Sequence, residues 1–259
     1  MLELKNIVKI FNLTGNKDDI RVALNHVNLT IEDGEFVTVI GGNGSGKSTM
    51  MNIISGVLSP DEGSVIIDNH NVTNMKEHNR AKFIGRVFQD PMKGTAGDMS
   101  VLENLEIAIR RGKKHTLAWG FSSQNKQLFI DQLAKFDLGL ENRLHQKVGL
   151  LSGGQRQALT LIMASIKKPS LLLLDEHTAA LDPKTAKKVL HLTEQIVKEQ
   201  NLTTIMITHN MRDALTYGNR LIMINNGVIT LDVKGEEKAK LTPEDLFAKF
   251  DEAENTFEQ

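Results

Sequence analysis

Leu2-Glu3-Leu4 alternates apolar and polar side chains, and Val27-Asn28-Leu29-Thr30-Ile31 does so more clearly, the period-two mark of half-buried strands. Asp33-Gly34-Glu35 reads as a turn. Phe36-Val37-Thr38-Val39-Ile40 behind it is β-branched and apolar, as a strand covered on both faces must be. That strand runs directly into a glycine-rich segment, Gly41 to Thr49. A helix is predicted from Met50 to Val57, ending near Ser59-Pro60. Asp61-Glu62-Gly63 then turns the chain into a strand over Ser64 to Asp68.

The pattern changes between Pro91 and Ser165, where the spacing predicts helices over Val101–Ile109, Lys126–Phe136 and Gly154–Ile166 and no clear strand. Apolar strand signals return at Leu171 to Leu174. A helix over 183–199 comes next, with Pro183 suited to its first turn. Thr204 to Thr208 reads as another buried strand, and Arg220–Ile224 with Val228–Leu231 as a hairpin around Asn225-Asn226-Gly227. Thr242-Pro243-Glu244-Asp245 opens a short acidic helix. The organisation predicted is one α/β domain: a core over residues 1–90 and 166–232, an α-helical subdomain inserted over 91–165, and a helical tail over 233–259.

Composition narrows the function. Hydrophobic residues make up 40% of 259, enough for a sizeable core. The formal net charge is -1, without the basic excess that phosphate neutralisation demands, so no nucleic-acid partner is expected. The absence of cysteine excludes disulfides, zinc–thiolate sites and a cysteine nucleophile. The start of the chain carries no signal-peptide pattern, and no apolar run approaches the roughly 20 residues that span a bilayer. A protein of this kind acting at a membrane must dock on something that spans it.

Gly41-Gly42-Asn43-Gly44-Ser45-Gly46-Lys47-Ser48 satisfies the Walker A spacing between a strand and a helix. A triphosphate needs many donors at short range. Glycines let the backbone N–H groups turn inward, and the helix behind them adds its positive end. Gly41 to Thr49 are therefore candidate contacts of ATP. Lys47 reaches the β- and γ-phosphates, and Ser48 offers a hard oxygen to Mg²⁺. Leu171 to Leu174 ends in Asp175-Glu176, and a buried strand end is a poor place for unpaired charge. Asp175 is the candidate metal ligand and Glu176 the candidate general base for the attacking water.

Leu151-Ser152-Gly153-Gly154-Gln155 matches the ABC signature motif letter for letter. With Walker A, Gln89, the carboxylate pair and His209 in the expected order, the chain resembles an ABC ATPase from Leu2 to about Leu231. The resemblance implies a P-loop core of ABC type with an N-terminal antiparallel β subdomain and an inserted helical subdomain. It also implies a head-to-tail dimer, with a second copy or a related cassette. Ser152, Gly153, Gly154 and Gln155 of one chain would cover the ATP held by the other. By the same likeness Gln89 is the Q-loop residue, contacting Mg²⁺ or the attacking water, and His209 the switch histidine at the γ-phosphate. Ala179-Ala180-Leu181-Asp182 is the D-loop, and Phe11 takes the place of an aromatic that stacks on adenine. Gly42 stands where Pro or His is frequent, His177 where Pro or Ala is common, and Ala179 where Ser is usual.

A kinase or switch of another P-loop family does not carry this signature. Only 62 positions separate Gln89 from Leu151, too few for the coiled coils of repair ATPases. Met99 to Leu105 resembles import cassettes, whose groove receives a helix of an integral membrane permease. The likeness extends to cassettes of amino-acid uptake systems, which implies a peripheral place on the cytoplasmic face of the membrane and, for an importer, a substrate-binding protein. The alternative is a soluble ABC ATPase such as an iron–sulfur assembly component. Arg110-Arg111-Gly112-Lys113-Lys114-His115, with the single tryptophan Trp119 nearby, reads as a solvated basic loop with an aromatic plug, the alternative being a contact with the permease or with anionic lipid heads.

Overall fold

A computed structural model describes residues 1–12, 20–112, 123–135 and 137–257. Up to residue 80 the elements are β1 (Leu2–Asn12), β2 (Ile20–Ile31), β3 (Phe36–Ile40), α1 (Lys47–Ser55), β4 (Glu62–Ile67), β5 (His70–Asn71) and α2 (Glu77–Arg80). Next come β6 (Ile84–Val87), α3 (Val101–Ile109), α4 (Ser123–Ala134), α5 (Gly153–Ser165), β7 (Leu171–Asp175) and α6 (Pro183–Gln200). The chain closes with β8 (Thr204–Ile207), α7 (Met211–Thr216), β9 (Arg220–Asn225), β10 (Val228–Lys234), α8 (Glu236–Ala239) and α9 (Pro243–Phe257). Contacts divide it into two compact units, residues 1–80 with 201–259 and residues 81–200.

The first unit contains an antiparallel sheet in the order β2-β1-β4-β5. Its strands outrun the alternation visible in the sequence. β1 continues past Leu4 to Asn12 because a bulge at Asn6, with φ of 51°, absorbs the broken period, and His26 at 49° does the same in β2. Strand β3 lies between parallel neighbours β8 and β9, and β10 closes back on β9 as the expected hairpin. All five residues of β3 are buried. Helix α1 begins at Lys47, earlier than Met50, because the glycine-rich loop feeds it without a spacer. It stops at Ser55, where Gly56 turns left-handed at φ 84°. The fully buried Arg80 donates to the carbonyls of Ile53 and Ile54 at the end of that helix, 2.7 and 2.9 Å away. Lys238 of the same unit is buried, and among the described residues no carboxylate pairs with it. It donates to the carbonyls of Tyr217 and Gly218, which closes α7 at its C-terminus. Burial pushes its amine down to about 8.

The second unit pairs β6 and β7 in parallel, with Val87 opposite Leu174. Its helices α3, α4 and α5 pack on one another, and α5 also covers β6. Strand β6 carries too short an apolar run to be read from sequence, and it groups with the helices as a unit that starts at Ala81. Ser100 and Glu103 form a full capping box on α3. Helix α4 starts at Ser123, ahead of Lys126, and Phe136 lies outside the described residues. The basic run is not simply a solvated loop. Arg111 is half-buried and donates to the Ala164 carbonyl at 2.7 Å and to that of Lys167, which satisfies orphan carbonyls at the end of α5. Lys113 to His115 and Trp119 fall outside the described residues.

Candidate functional site

The phosphate loop, in the first unit, is held from within. Gly46 adopts φ 111° at the N-cap of α1, and a Cβ there would fall 2.5 Å from the Ala23 carbonyl oxygen, so only glycine fits. Lys47 is 5% exposed, and its ammonium donates to the carbonyls of Gly41 (2.8 Å) and Gly42 (2.7 Å). The Ser45 carbonyl accepts from the N–H of Gly227 in the β9–β10 turn. Asn43, Gly44 and Ser48 are exposed and Thr49 is half-buried, so the loop keeps an open face beside a buried lysine.

That face borders an open cavity of about 210 Å³ lined by Phe11, Arg21, Ala23 and Gly44 through Thr49. Phe11 and Arg21 sit opposite each other on β1 and β2, so their side chains leave the sheet on the same side. The cavity thus offers an aromatic face at one wall and backbone donors with a lysine at the other, the two chemistries of a purine nucleotide. His209 lies in the same unit, exposed, two residues beyond Ile207. Because β8 and β3 run parallel with Ile207 opposite Val39, His209 and Gly41 leave the sheet at the same carboxyl edge. Asn210 behind it caps α7 by accepting from the N–H groups of Arg212 and Asp213. Helix α9 reaches this edge too. A Cβ on Gly42 would lie 3.1 Å from Cζ of Phe250.

The second unit carries the carboxylates. Val87 and Leu174 are register partners, so Gln89 and the pair Asp175-Glu176 emerge together at the carboxyl edge of β6 and β7. Gln89 is exposed, and both acids are partly buried. Arg86 Nη2 stands 3.4 Å from Asp175 Oδ2, and the guanidinium lies 4.6 Å from the Phe88 ring centre. Glu176 sits at φ 45°, a left-handed conformation that costs a non-glycine residue about 1 kcal/mol or more. The next residue is pinned: His177 is 2% exposed, and its Nε2 lies 3.1 Å from the Thr193 hydroxyl on α6. Burial lowers its imidazole to about 4, so it is neutral at physiological pH. Asp182 caps α6, and its hydrogen bonds from Thr185 hold its carboxyl below the usual carboxylate range.

The Ser-Gly-Gly turn opens α5. Ser152 accepts from the Gln155 N–H, and Gln155 Oε1 accepts from the Ser152 N–H, a complete capping box. Ser152 and Gly153 are exposed, whereas Leu151 is buried beneath them. The turn therefore presents a hydroxyl and the first N–H groups of a helix to the outside. The two glycines differ. A Cβ on Gly153 would meet only Leu181 Cδ2, at 3.4 Å, but one on Gly154 would fall 2.2 Å from Thr185 Cγ2. Gly154 serves the close packing of α5 on α6.

Both halves of this chemistry match known proteins. The family described as ABC transporter matches residues 24–179. The chain belongs to the ABC transporter family. It is 47% identical over 254 residues, 98% of this chain and all of the relative, to the "Tyrosine transport ATP-binding protein" of Clostridioides difficile. It is 35% identical to the "Methionine import ATP-binding protein MetN 2" of Listeria innocua, over 93% of this chain and 70% of that one. Among solved structures it resembles the dimeric ATP-binding cassette MJ0796 of Methanocaldococcus jannaschii, with a TM-score of 0.77 at 32% identity over 90% of this chain and 98% of that one. The same cassette is known in a post-hydrolysis state bound to ADP and Pi, at a TM-score of 0.75. The ABC cassette described here binds and hydrolyses ATP as the energy-supplying part of a transporter.

Within this ABC cassette, sequence reasoning missed three residues of the two sites. Arg21 lines the nucleotide cavity, Arg86 faces Asp175, and Phe250 covers Gly42. No local motif marks any of them. Each acts through a contact with a segment distant in sequence.

Proposed function

We propose that this cassette powers the import of an amino acid, with an aromatic one as the first candidate. Its likeness over nearly the whole length to a tyrosine transport ATP-binding protein carries that reading. The cassette works as a head-to-tail pair on the cytoplasmic face of the membrane. It is bound to an integral permease that a substrate-binding protein supplies. Among the described residues no helix is long and apolar enough to cross a membrane. In the second unit, within the helical subdomain of residues 91–165, Met99 (39% exposed), Ile107 (54%) and Leu150 (71%) are each apolar and open, side chains of the kind that a permease helix would cover.

In each site Phe11 stacks on adenine, and Gly41 through Thr49 hold the phosphates. Lys47 offsets the charge that grows on the transferring phosphoryl group. Ser152, Gly153, Gly154 and Gln155 of the partner close over the γ-phosphate. Glu176 takes the proton of the attacking water, and His209 orients that water. The exposed hydroxyl of Ser48 and the carboxylate of Asp175, with the amide oxygen of Gln89, are hard oxygen donors that fit Mg²⁺. When bound, that ion would offset negative charge on the phosphate chain. Arg86 already balances the charge of Asp175. Nothing in the two sites or in the relatives named above favours the iron–sulfur assembly reading.

The test is uptake of labelled tyrosine, phenylalanine and methionine by cells carrying the cassette with its permease, against cells carrying the Glu176→Gln variant. Uptake of one of these should stop in the variant. Unchanged uptake of every amino acid would remove the substrate assignment, and failure to co-purify with an integral membrane protein would remove the importer.

A further inference from the structure

Arg21 stands at the mouth of the nucleotide cavity, and no family motif assigns it a role. It lies on β2 opposite Phe11 on β1, on the same face of the sheet. Ala23, small and two residues on, also lines the cavity. The guanidinium reaches over the phosphate loop, where Nη2 donates to the Gly44 carbonyl at 2.9 Å. Gly44 is left-handed, at φ 78°, a conformation that favours glycine, whereas the guanidinium nitrogen a Cβ would meet at 2.2 Å is the end of an exposed side chain that can move. Among the described residues no carboxylate faces Arg21, and the side chain is exposed. Among the described residues this always-charged group with five donors meets one neutral acceptor, beside a loop built to bind an anion.

A nucleotide that stacks its base on Phe11 and sends its terminal phosphates to Lys47 must pass its sugar and first phosphate along the wall that Arg21 forms. We propose that Arg21 is a nucleotide-binding residue that grips the base-proximal end of the phosphate chain, its guanidinium turning from the Gly44 carbonyl to phosphate oxygens. The exchange replaces a neutral acceptor by a charged one, and charge-assisted bonds of this kind are about twice as strong. Because the contact forms with the bound nucleotide in ground and transition states alike, Arg21 sets affinity and leaves the chemical step to other groups.

Titration calorimetry with ADP, GDP and adenosine, on wild-type, Arg21→Gln and Arg21→Lys proteins, tests this. Arg21→Gln should weaken both diphosphates by about tenfold and leave adenosine unchanged, with Arg21→Lys between, as loss of one charge-assisted fork predicts. The loss should shrink as salt rises. In steady-state assays the KM for ATP should rise by the same factor while kcat stays within about twofold, as loss of uniform binding requires. Lys47→Ala, which removes a loop contact, is the control for nucleotide binding itself. Unchanged ADP affinity in Arg21→Gln overturns the proposal. So does a loss confined to the adenine nucleotide, which would make Arg21 a reader of the base. A lowered melting temperature with unchanged KM would reduce it to a brace of the loop.

Discussion

The phosphate loop and the edge that carries Glu176 and the signature turn contain similar residues held in different ways. In the loop the backbone sets the geometry. Lys47 is satisfied by the carbonyls of Gly41 and Gly42, and Gly46 sits in a conformation no other residue adopts cheaply. At the carboxylate edge side chains hold a strained backbone in place. Glu176 is left-handed, His177 is buried behind it, and the glycine of the signature nearest the core is there to let Thr185 close in. The first region takes its shape from one short stretch of backbone. The second exposes Ser152 and Gly153 to the outside, where, on the function proposed above, another chain completes it.

The largest effect expected falls on the strained edge. Glu176→Gln should lower kcat by about 10³, roughly 4 kcal/mol of barrier, while ATP still binds the intact loop. Single-turnover ATPase with a binding assay separates the two, and wild-type turnover would end the general-base role. Acid should strike the same region next. His177 has a folded pKa of about 4 against an ordinary 6.5, so between these values the unfolded chain binds the extra proton. Stability is full above about pH 6.5 and falls toward pH 4, by up to about 3 kcal/mol for this group. Amide exchange should show α6 losing protection over that window while α1 keeps it, and His177→Gln should flatten the dependence. Equal loss in both helices would break the contrast.

The two signature glycines sharpen it further. Gly154→Ala drives a methyl into Thr185 and should cost about 1–3 kcal/mol, an overpacking cost that Thr185→Ser relieves. No rescue in denaturant unfolding would mean the clash is absorbed elsewhere. Gly153→Ala meets only ordinary contact and should change stability by less than about 0.5 kcal/mol. It should still slow ATP hydrolysis if the exposed turn covers a partner's phosphate. Unchanged ATPase activity in that variant would separate the turn from the chemistry.

Features that depend on neighbours in sequence could be read in advance. The glycine spacing of Gly41 to Gly46, the acids after Leu174 and the Ser152–Gln155 turn each lie within one loop or strand end. The length of β1 and β2 escaped because bulges at Asn6 and His26 break the alternation on which strand reading rests. Strand β6 is too short and mixed to announce itself. Arg21, Arg86 and Phe250 escaped for a different reason. A polar or aromatic residue gains meaning from the groups the fold sets beside it, and Gly44, Asp175 and Gly42 are reached only across the sheet or from the tail.

Gly42 and Phe250 are bound by a shared volume. The ring of Phe250 fills the space that a proline or histidine at 42 would take, and α9 rests against α7, the helix that comes after His209. A side chain at 42 therefore requires the ring of Phe250 to shift by a few tenths of an ångström, and a loop with a proline or histidine there fits best beside a smaller residue at 250.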